Sequence, residues 1–147
     1  FMTDLSKVRR NETSQLVYHK TLNYGDCILE KRAAAAAGIN EKIFINTKGQ
    51  ISEGTVCNVF FVRKNMIYTP QLSCGLLPGI LREYIMERFQ VTETIIYPDE
   101  LMYYEECFVT NSLMGVMPVR QLGNICFPHR AKADEVREVY EKEKMSL

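Results

Sequence analysis

The chain has 147 residues, of which 46% are hydrophobic, and its 18 lysines and arginines balance its 18 acidic residues. This length and composition are sufficient for one compact domain with a hydrophobic core. The basic residues are scattered, so we expect no nucleic-acid partner. There is no apolar run long enough to span a membrane and no signal-peptide pattern at the start, which predicts a soluble, cytoplasmic protein without a membrane partner.

The five cysteines have wide, irregular spacings and form no Cys-x-x-Cys pair. They are typical of small buried hydrophobic residues in a reducing compartment. Cys126 and His129 are two possible zinc ligands without further partners, so we predict no metal site.

The first 18 residues predict little regular structure. Residues 3–14 are polar and charged and indicate an exposed segment, whereas Gln15–Tyr18 is apolar and predicts a short strand that leads to Lys20. The chain starts with Phe1 and Met2, which is not how a reading frame begins, so we expect it to be a piece of a longer protein or to carry a foreign first residue.

A helix is predicted over residues 23–37, with Asn23 as its cap, a run of five alanines, and a stop at Gly38. A strand follows at residues 42–46, then a turn at Gly49 and another strand from Ile51.

Glu53 lies between the Gly49 turn and residues 59–62, an apolar stretch that predicts a strand buried on both faces. A carboxylate at this position is costly to desolvate unless a cation or a protonated ring nitrogen requires it. The alternative is a solvated glutamate in a hairpin.

The rest of the chain predicts alternating strands and helices, which indicates one α/β domain. Gly79 precedes a predicted helix at residues 80–89, whose first backbone N–H groups, those of Ile80 and Leu81, could bind an anion. The other predicted elements are a hairpin of residues 57–63 and 66–69 around Lys64 and Asn65, strands at 92–97 and 106–110, a short helix at 98–103, paired strands at 116–120 and 124–127 about Gly123, and a closing helix at 131–144.

The order and spacing of several motifs resemble those of the class IV aminotransferases, which are pyridoxal-phosphate enzymes. The family includes branched-chain aminotransferases, D-amino acid aminotransferase and aminodeoxychorismate lyase. The motifs are Lys20-Thr-Leu-Asn-Tyr24, Gly49-Gln-Ile-Ser-Glu-Gly-Thr55, Asn58-Val-Phe60, Tyr68-Thr-Pro70, Leu77-Pro-Gly-Ile-Leu-Arg82, and the stretch from Phe108 to Val119.

This resemblance implies a fold and a domain division. The chain is similar to the larger, carboxy-terminal domain of the family, a mixed sheet or barrel with flanking helices. Residues 1–18 would then be the connection from a missing amino-terminal domain, and residues 19–147 the domain that binds pyridoxal 5'-phosphate. The resemblance also implies a homodimer.

The resemblance further implies roles for individual residues. Lys20 would condense with the cofactor aldehyde, and Glu53 would keep the pyridine nitrogen protonated. Arg10 is a candidate for holding a substrate carboxylate, with an exposed basic linker as the alternative reading. Leucine at 81 departs from many family members, which have a threonine hydroxyl there. The other cofactor-binding candidates are Tyr24 at the ring hydroxyl, Ile80 and Leu81 at the phosphate, and Asn111 and Ser112 in the polar turn after the predicted strand at residues 106–110.

Two reactions on a small amino substrate are consistent with these motifs. Asn111, where branched-chain aminotransferases usually have glycine, and the Arg10-Asn11 pair resemble aminodeoxychorismate lyase, which releases pyruvate to give 4-aminobenzoate for folate synthesis. An aminotransferase of the branched-chain or D-amino acid type is the alternative. A truncated, inactive cofactor-binding domain and an interaction domain without a ligand also stay open.

Overall fold

A computed structural model describes residues 1–19 and 25–145, and within these ranges the protein is a mixed α/β domain with two five-stranded sheets. The helices are α1 (Gly25–Ala36), α2 (Ile80–Arg88) and α3 (Ala131–Met145). The strands are β1 (Met2–Arg10), β2 (Glu41–Asn46), β3 (Ile51–Gly54), β4 (Asn58–Arg63), β5 (Met66–Pro70), β6 (Val91–Thr94), β7 (Glu106–Asn111), β8 (Gly115–Val119), β9 (Gln121–Leu122) and β10 (Ile125–Cys126). No helix in the described ranges is long and apolar enough to cross a membrane.

The first sheet has the order β10-β9-β1-β2-β3, with β1 parallel to both β2 and β9. The polar segment that we expected to be an exposed connection is therefore largely a strand inside this sheet. Thr3 and Ser6 are buried, while most of the other side chains of β1 are exposed. A strand whose backbone is paired on both sides can carry polar side chains on its solvent face, so composition alone concealed it.

The second sheet has the order β6-β5-β4-β7-β8 and lies between two hydrophobic cores. Val59 and Phe61 of β4 face a core shared with the first sheet, whereas Phe60 and Val62 face a core covered by α2 and α3. The prediction of a strand buried on both faces is confirmed.

The β4–β5 hairpin is also confirmed. Lys64 and Asn65 both have positive φ, at 50° and 65°, as a two-residue turn between twisted antiparallel strands requires. The predicted helices at 80–89 and 131–144 correspond to α2 and α3, and that at 23–37 corresponds to α1 from Gly25 onward. The short helix at Pro98–Tyr103 is of the 3₁₀ type.

Two predicted elements are wrong. Gln15–Tyr18 forms a 3₁₀ helix rather than a strand, because Ser14 caps its start by accepting a hydrogen bond from the Leu16 N–H and the Tyr18 hydroxyl donates back to the Glu12 carbonyl at 2.6 Å. These local bonds compete with strand formation in so short an apolar run.

The expected pairing of residues 116–120 with 124–127 is the second error. β8 pairs with β7 in the second sheet, and the strand that turns back about Gly123 onto β10 is the short β9 of the first sheet. The chain thus passes from one sheet to the other at Arg120. A two-residue strand has too little sequence pattern to be recognised.

Candidate functional site

Glu53 occupies the third position of β3, a strand whose four residues are all buried. The alternative of a solvated glutamate in a hairpin is wrong, since Glu53 is only 5% exposed. Its Oε1 accepts a hydrogen bond from Arg10 Nη2 at 2.7 Å, and its Oε2 accepts one from the Leu77 N–H at 2.9 Å. A carboxylate has about four acceptor positions, so Glu53 can still receive a further donor.

Burial raises the pKa of Glu53 to about 7, although the Arg10 guanidinium and the Leu77 N–H both lower it. The buried group is therefore poised to change charge near neutral pH. A protonated nitrogen placed beside it would favour the ionised form and lower this pKa.

Arg10 reaches Glu53 across the first sheet. It lies at the end of β1, beside Asn46 of β2, and its guanidinium carbon is 5.0 Å from the centroid of the Phe44 ring, so the side chain crosses β2 to reach β3. Its Nη1 is 3.3 Å from the Cys27 sulfur and 3.6 Å from a carboxylate oxygen of Asp26, at the start of α1.

The Arg10 side chain is thus not part of an exposed basic linker. Its Nε is buried and has no hydrogen-bond partner among the described residues. Because Glu53 engages its guanidinium directly, the structure gives Arg10 a role in orienting and charging Glu53. Contact with a substrate carboxylate stays a prediction.

The start of α2 has the form that anion binding requires. Gly79 is the N-cap residue and makes no side-chain cap, and the first N–H groups of any helix lack partners within it. A Cβ at Gly79 would lie 2.5 Å from Asn58 Oδ1, so any other residue here would displace the Asn58 side chain. Leu81 is buried and Ile80 is exposed, and their contact with a phosphate is a prediction that the geometry permits.

Leu77 connects Glu53 to this helix start. Its N–H donates to Glu53, and its carbonyl accepts from Asn58 Nδ2 at 2.9 Å. Asn58 is buried at the first position of β4 and was missed as a functional residue. The available signal was a lone amide side chain immediately before an apolar run.

The turn after β7 is held by Asn111. Its Oδ1 accepts from the N–H groups of Leu113 at 3.0 Å and Met114 at 2.8 Å, and its Nδ2 donates to the Val56 carbonyl at 2.9 Å. Asn111 therefore links this turn to the one that follows Glu53. Ser112 is exposed at the same turn, and a direct contact of either residue with a cofactor stays a prediction.

Glu41, a second buried carboxylate, holds the turn that follows Glu53. It accepts from the Thr55 N–H at 3.2 Å, from the Thr55 hydroxyl at 2.5 Å and from the Val56 N–H at 3.4 Å. Sequence reasoning missed it, because a glutamate beside a lysine at the start of a strand resembles a surface residue.

Lys20 and Tyr24, and the predicted cap Asn23, lie outside the described residues. Their roles rest on the sequence motif alone. Within the described ranges no group of three or more His, Cys, Asp or Glu side chains could hold a metal ion.

Known proteins resemble the chain in sequence and in fold. The sequence matches the amino-transferase class IV family over residues 2–122. It is 33% identical over 104 residues to a chloroplastic branched-chain amino acid aminotransferase of Humulus lupulus, covering 66% of this chain and 26% of that protein.

Two solved structures share the fold. A branched-chain aminotransferase from Thermoproteus uzoniensis, crystallised with norvaline, superposes with a TM-score of 0.88 at 26% identity, covering 96% of this chain and 50% of that one. A Legionella pneumophila protein whose proposed activity is 4-amino-4-deoxychorismate lyase gives 0.85 at 28% identity, covering 96% and 55%. The chain spans about half or less of the length of these relatives.

The raised pKa of Glu53 predicts a titration near pH 7 in the protein without ligand. Carbon-13 NMR of the glutamate carboxyl groups should show one resonance with that midpoint, absent from Glu53→Gln. Because the pKa is higher in the folded than in the unfolded chain, the stability that protonated Glu53 contributes is complete below about pH 4.5 and is lost as the pH rises through 7.

Arg10→Met should move the midpoint above 7, because the guanidinium charge lowers the pKa of Glu53. Arg63→Met, at the exposed end of β4, serves as the matched control and should leave the midpoint unchanged. A midpoint near 4.5, or no response to the loss of Arg10, would contradict this account of the site.

Proposed function

Because the chain belongs to the class IV aminotransferase family, whose members depend on pyridoxal phosphate, we propose that it is the cofactor-binding domain of an enzyme acting on a small amino substrate. The observation that carries this proposal is the buried carboxylate of Glu53, which accepts hydrogen bonds from Arg10 and from the Leu77 N–H. Leu77 lies two residues before Gly79, the N-cap of α2. Structural stability alone does not require a buried ion pair in this position.

The residues present fit the cofactor. Glu53 retains acceptor capacity for the pyridine nitrogen, and the first amides of α2, which follow an N-cap glycine without a side chain of its own, offer donors to the phosphate. Lys20 would attach the cofactor covalently, as its motif implies. When bound, the cofactor supplies a ring that accepts the electron pair released at the substrate carbon.

The chain's own residues would then control protons. Arg10 favours the ionised form of Glu53, and ionised Glu53 stabilises a proton on the ring nitrogen. Lys20, once free of the cofactor, would take the proton from the substrate carbon. Its amine must be neutral to do so, which requires a pKa lowered by burial or by nearby positive charge.

We favour 4-amino-4-deoxychorismate lyase as the reaction of the whole protein, with release of pyruvate and formation of 4-aminobenzoate for folate synthesis. The support is sequence resemblance to the lyases, at Asn111 and at the Arg10-Asn11 pair. The Asn111 side chain also bonds to the turn after Glu53. A branched-chain aminotransferase is the second candidate, and it is favoured because the Humulus lupulus protein that is similar in sequence is a branched-chain amino acid aminotransferase. A domain that is inactive without the rest of the protein is the third.

We also propose that the protein is a cytoplasmic homodimer. Leu29 on α1, Ile80 at the start of α2 and Leu113 in the turn after β7 are large apolar side chains that are strongly exposed in the single chain. Apolar side chains exposed in this way are consistent with contact by another chain or domain.

Covalent labelling tests the cofactor assignment. Reduction of the protein with borohydride in the presence of pyridoxal phosphate, followed by peptide mapping, should place the label on Lys20. Lys31, which donates instead to the Asn40 carbonyl at 2.6 Å, is an internal control and should stay unlabelled. A label on another lysine would overturn the assignment.

The reaction itself is tested with the full-length protein and aminodeoxychorismate in the absence of any keto acid. A lyase needs no amino acceptor, so pyruvate and 4-aminobenzoate should form in equal amounts over many turnovers. If no pyruvate forms, and an amino acid instead converts the bound cofactor to its amino form, the enzyme is an aminotransferase and the lyase proposal is wrong.

A further inference from the structure

Leu77 is held through both of its backbone polar groups by side chains that come from different strands. Its N–H donates to Glu53 of β3 at 2.9 Å, and its carbonyl accepts from Asn58 of β4 at 2.9 Å. The two peptide groups that meet at the Leu77 Cα are therefore held separately, the first by the candidate ring-nitrogen acid and the second by Asn58. Gly79 follows only two residues later.

We propose that Asn58 is a positioning residue that couples the Glu53 end of the site to the anion-binding start of α2. This inference rests on the proposed function, since it assigns Glu53 to the ring nitrogen and α2 to the phosphate of one cofactor. Asn58 contacts Leu77 and Gly79 of this loop, and in this proposal it acts through them rather than by touching the cofactor.

The position of Asn58 is well fixed. Its backbone pairs with Thr110 in the β4–β7 ladder, at the centre of the second sheet, and the residue is only 6% exposed. The side chain is therefore a rigid support for the loop, because sheet pairing and burial leave it little freedom.

The two ends of the Asn58 amide meet different parts of the loop. Nδ2 satisfies the Leu77 carbonyl, while Oδ1 lies so close to Gly79 that a Cβ there would be 2.5 Å away. Aspartate would keep the acceptor but lose the donor and bring a negative charge towards the proposed phosphate. Alanine would leave the Leu77 carbonyl without its side-chain donor.

The coupling follows from these contacts. If Asn58 releases the Leu77 carbonyl, the Leu77–Pro78 peptide becomes free to move. Because this peptide shares the Leu77 Cα with the one before it, displacement of that atom also draws the Leu77 N–H away from Glu53. The Gly79 backbone moves with it, since only Pro78 separates the two residues. Loss of Asn58 should therefore weaken both a hydrogen bond that Asn58 does not make and the phosphate site.

Amide hydrogen exchange on the protein without cofactor tests the first consequence. Asn58→Ala should accelerate exchange of the Leu77 N–H about tenfold or more beyond any change in global stability. The matched control is Thr69→Val, which also removes a buried bond to a backbone carbonyl, that of Val59 at 2.8 Å, away from residues 77–79. It should leave Leu77 exchange unchanged after the same correction.

Titration with pyridoxal phosphate, followed by absorbance, tests the second consequence. Asn58→Ala should weaken binding about tenfold, consistent with the roughly 1.4 kcal/mol expected for one buried hydrogen bond, whereas Thr69→Val should bind as the unmodified protein does. Gly79→Ala, which displaces the Asn58 side chain from the Gly79 side, should also accelerate exchange of the Leu77 N–H. If Asn58→Ala does not fold, this variant tests whether Asn58 supports Leu77.

The outcomes separate the two proposals. If the unmodified protein binds no pyridoxal phosphate, the proposed function fails, while the exchange of Leu77 still decides whether Asn58 supports that peptide. If it binds, and Asn58→Ala matches Thr69→Val in both Leu77 exchange and affinity, the coupling role of Asn58 is wrong and the proposed function stands.

Discussion

The ion pair between Arg10 and Glu53 is the interaction around which the first sheet and the candidate site are arranged. A buried carboxylate is costly unless a charge and hydrogen-bond donors compensate it. The sheet order β1-β2-β3 places Arg10 one strand away from β3, and its side chain crosses the buried Phe44 to reach Glu53. The parallel pairing of β1 with β2 is therefore a requirement of the site as well as of the fold.

The second requirement is that the loop before α2 meets the same carboxylate. Leu77 donates to Glu53, Asn58 holds Leu77, and Gly79 gives room for Asn58. Glu41 and Asn111 fix the two turns beside it. Under the proposed function this arrangement would provide an acid for a ring nitrogen and amides for an anion, chemistry that a lyase and an aminotransferase share. The difference between these reactions must come from groups nearer the substrate.

The sequence predicted the parts of the site that depend on local pattern. The Gly49 turn, the apolar β4 and the glycine before α2 each have a strong local signal, and motif order related them to one family. The contacts between distant parts of the chain had no local sequence signal. The partner of Arg10 is 43 residues away, β1 is polar, and the partner of Asn58 lies in a loop 19 residues downstream. Such pairings follow from sheet topology, which a single sequence does not encode locally.

The most direct measurement of the central claim compares Glu53→Gln with Glu93→Gln in the full-length protein. Both variants remove the charge of a glutamate that pairs with an arginine at 2.7 Å. Glu93, however, lies on β6 at the edge of the second sheet and pairs with Arg82 of α2. Glu53→Gln should retain the cofactor while turnover falls about 10²–10³-fold, as for other preorganised electrostatic partners, and Glu93→Gln should be nearly unaffected. Equal turnover in the two variants would contradict the assignment of Glu53 as the acid of the site.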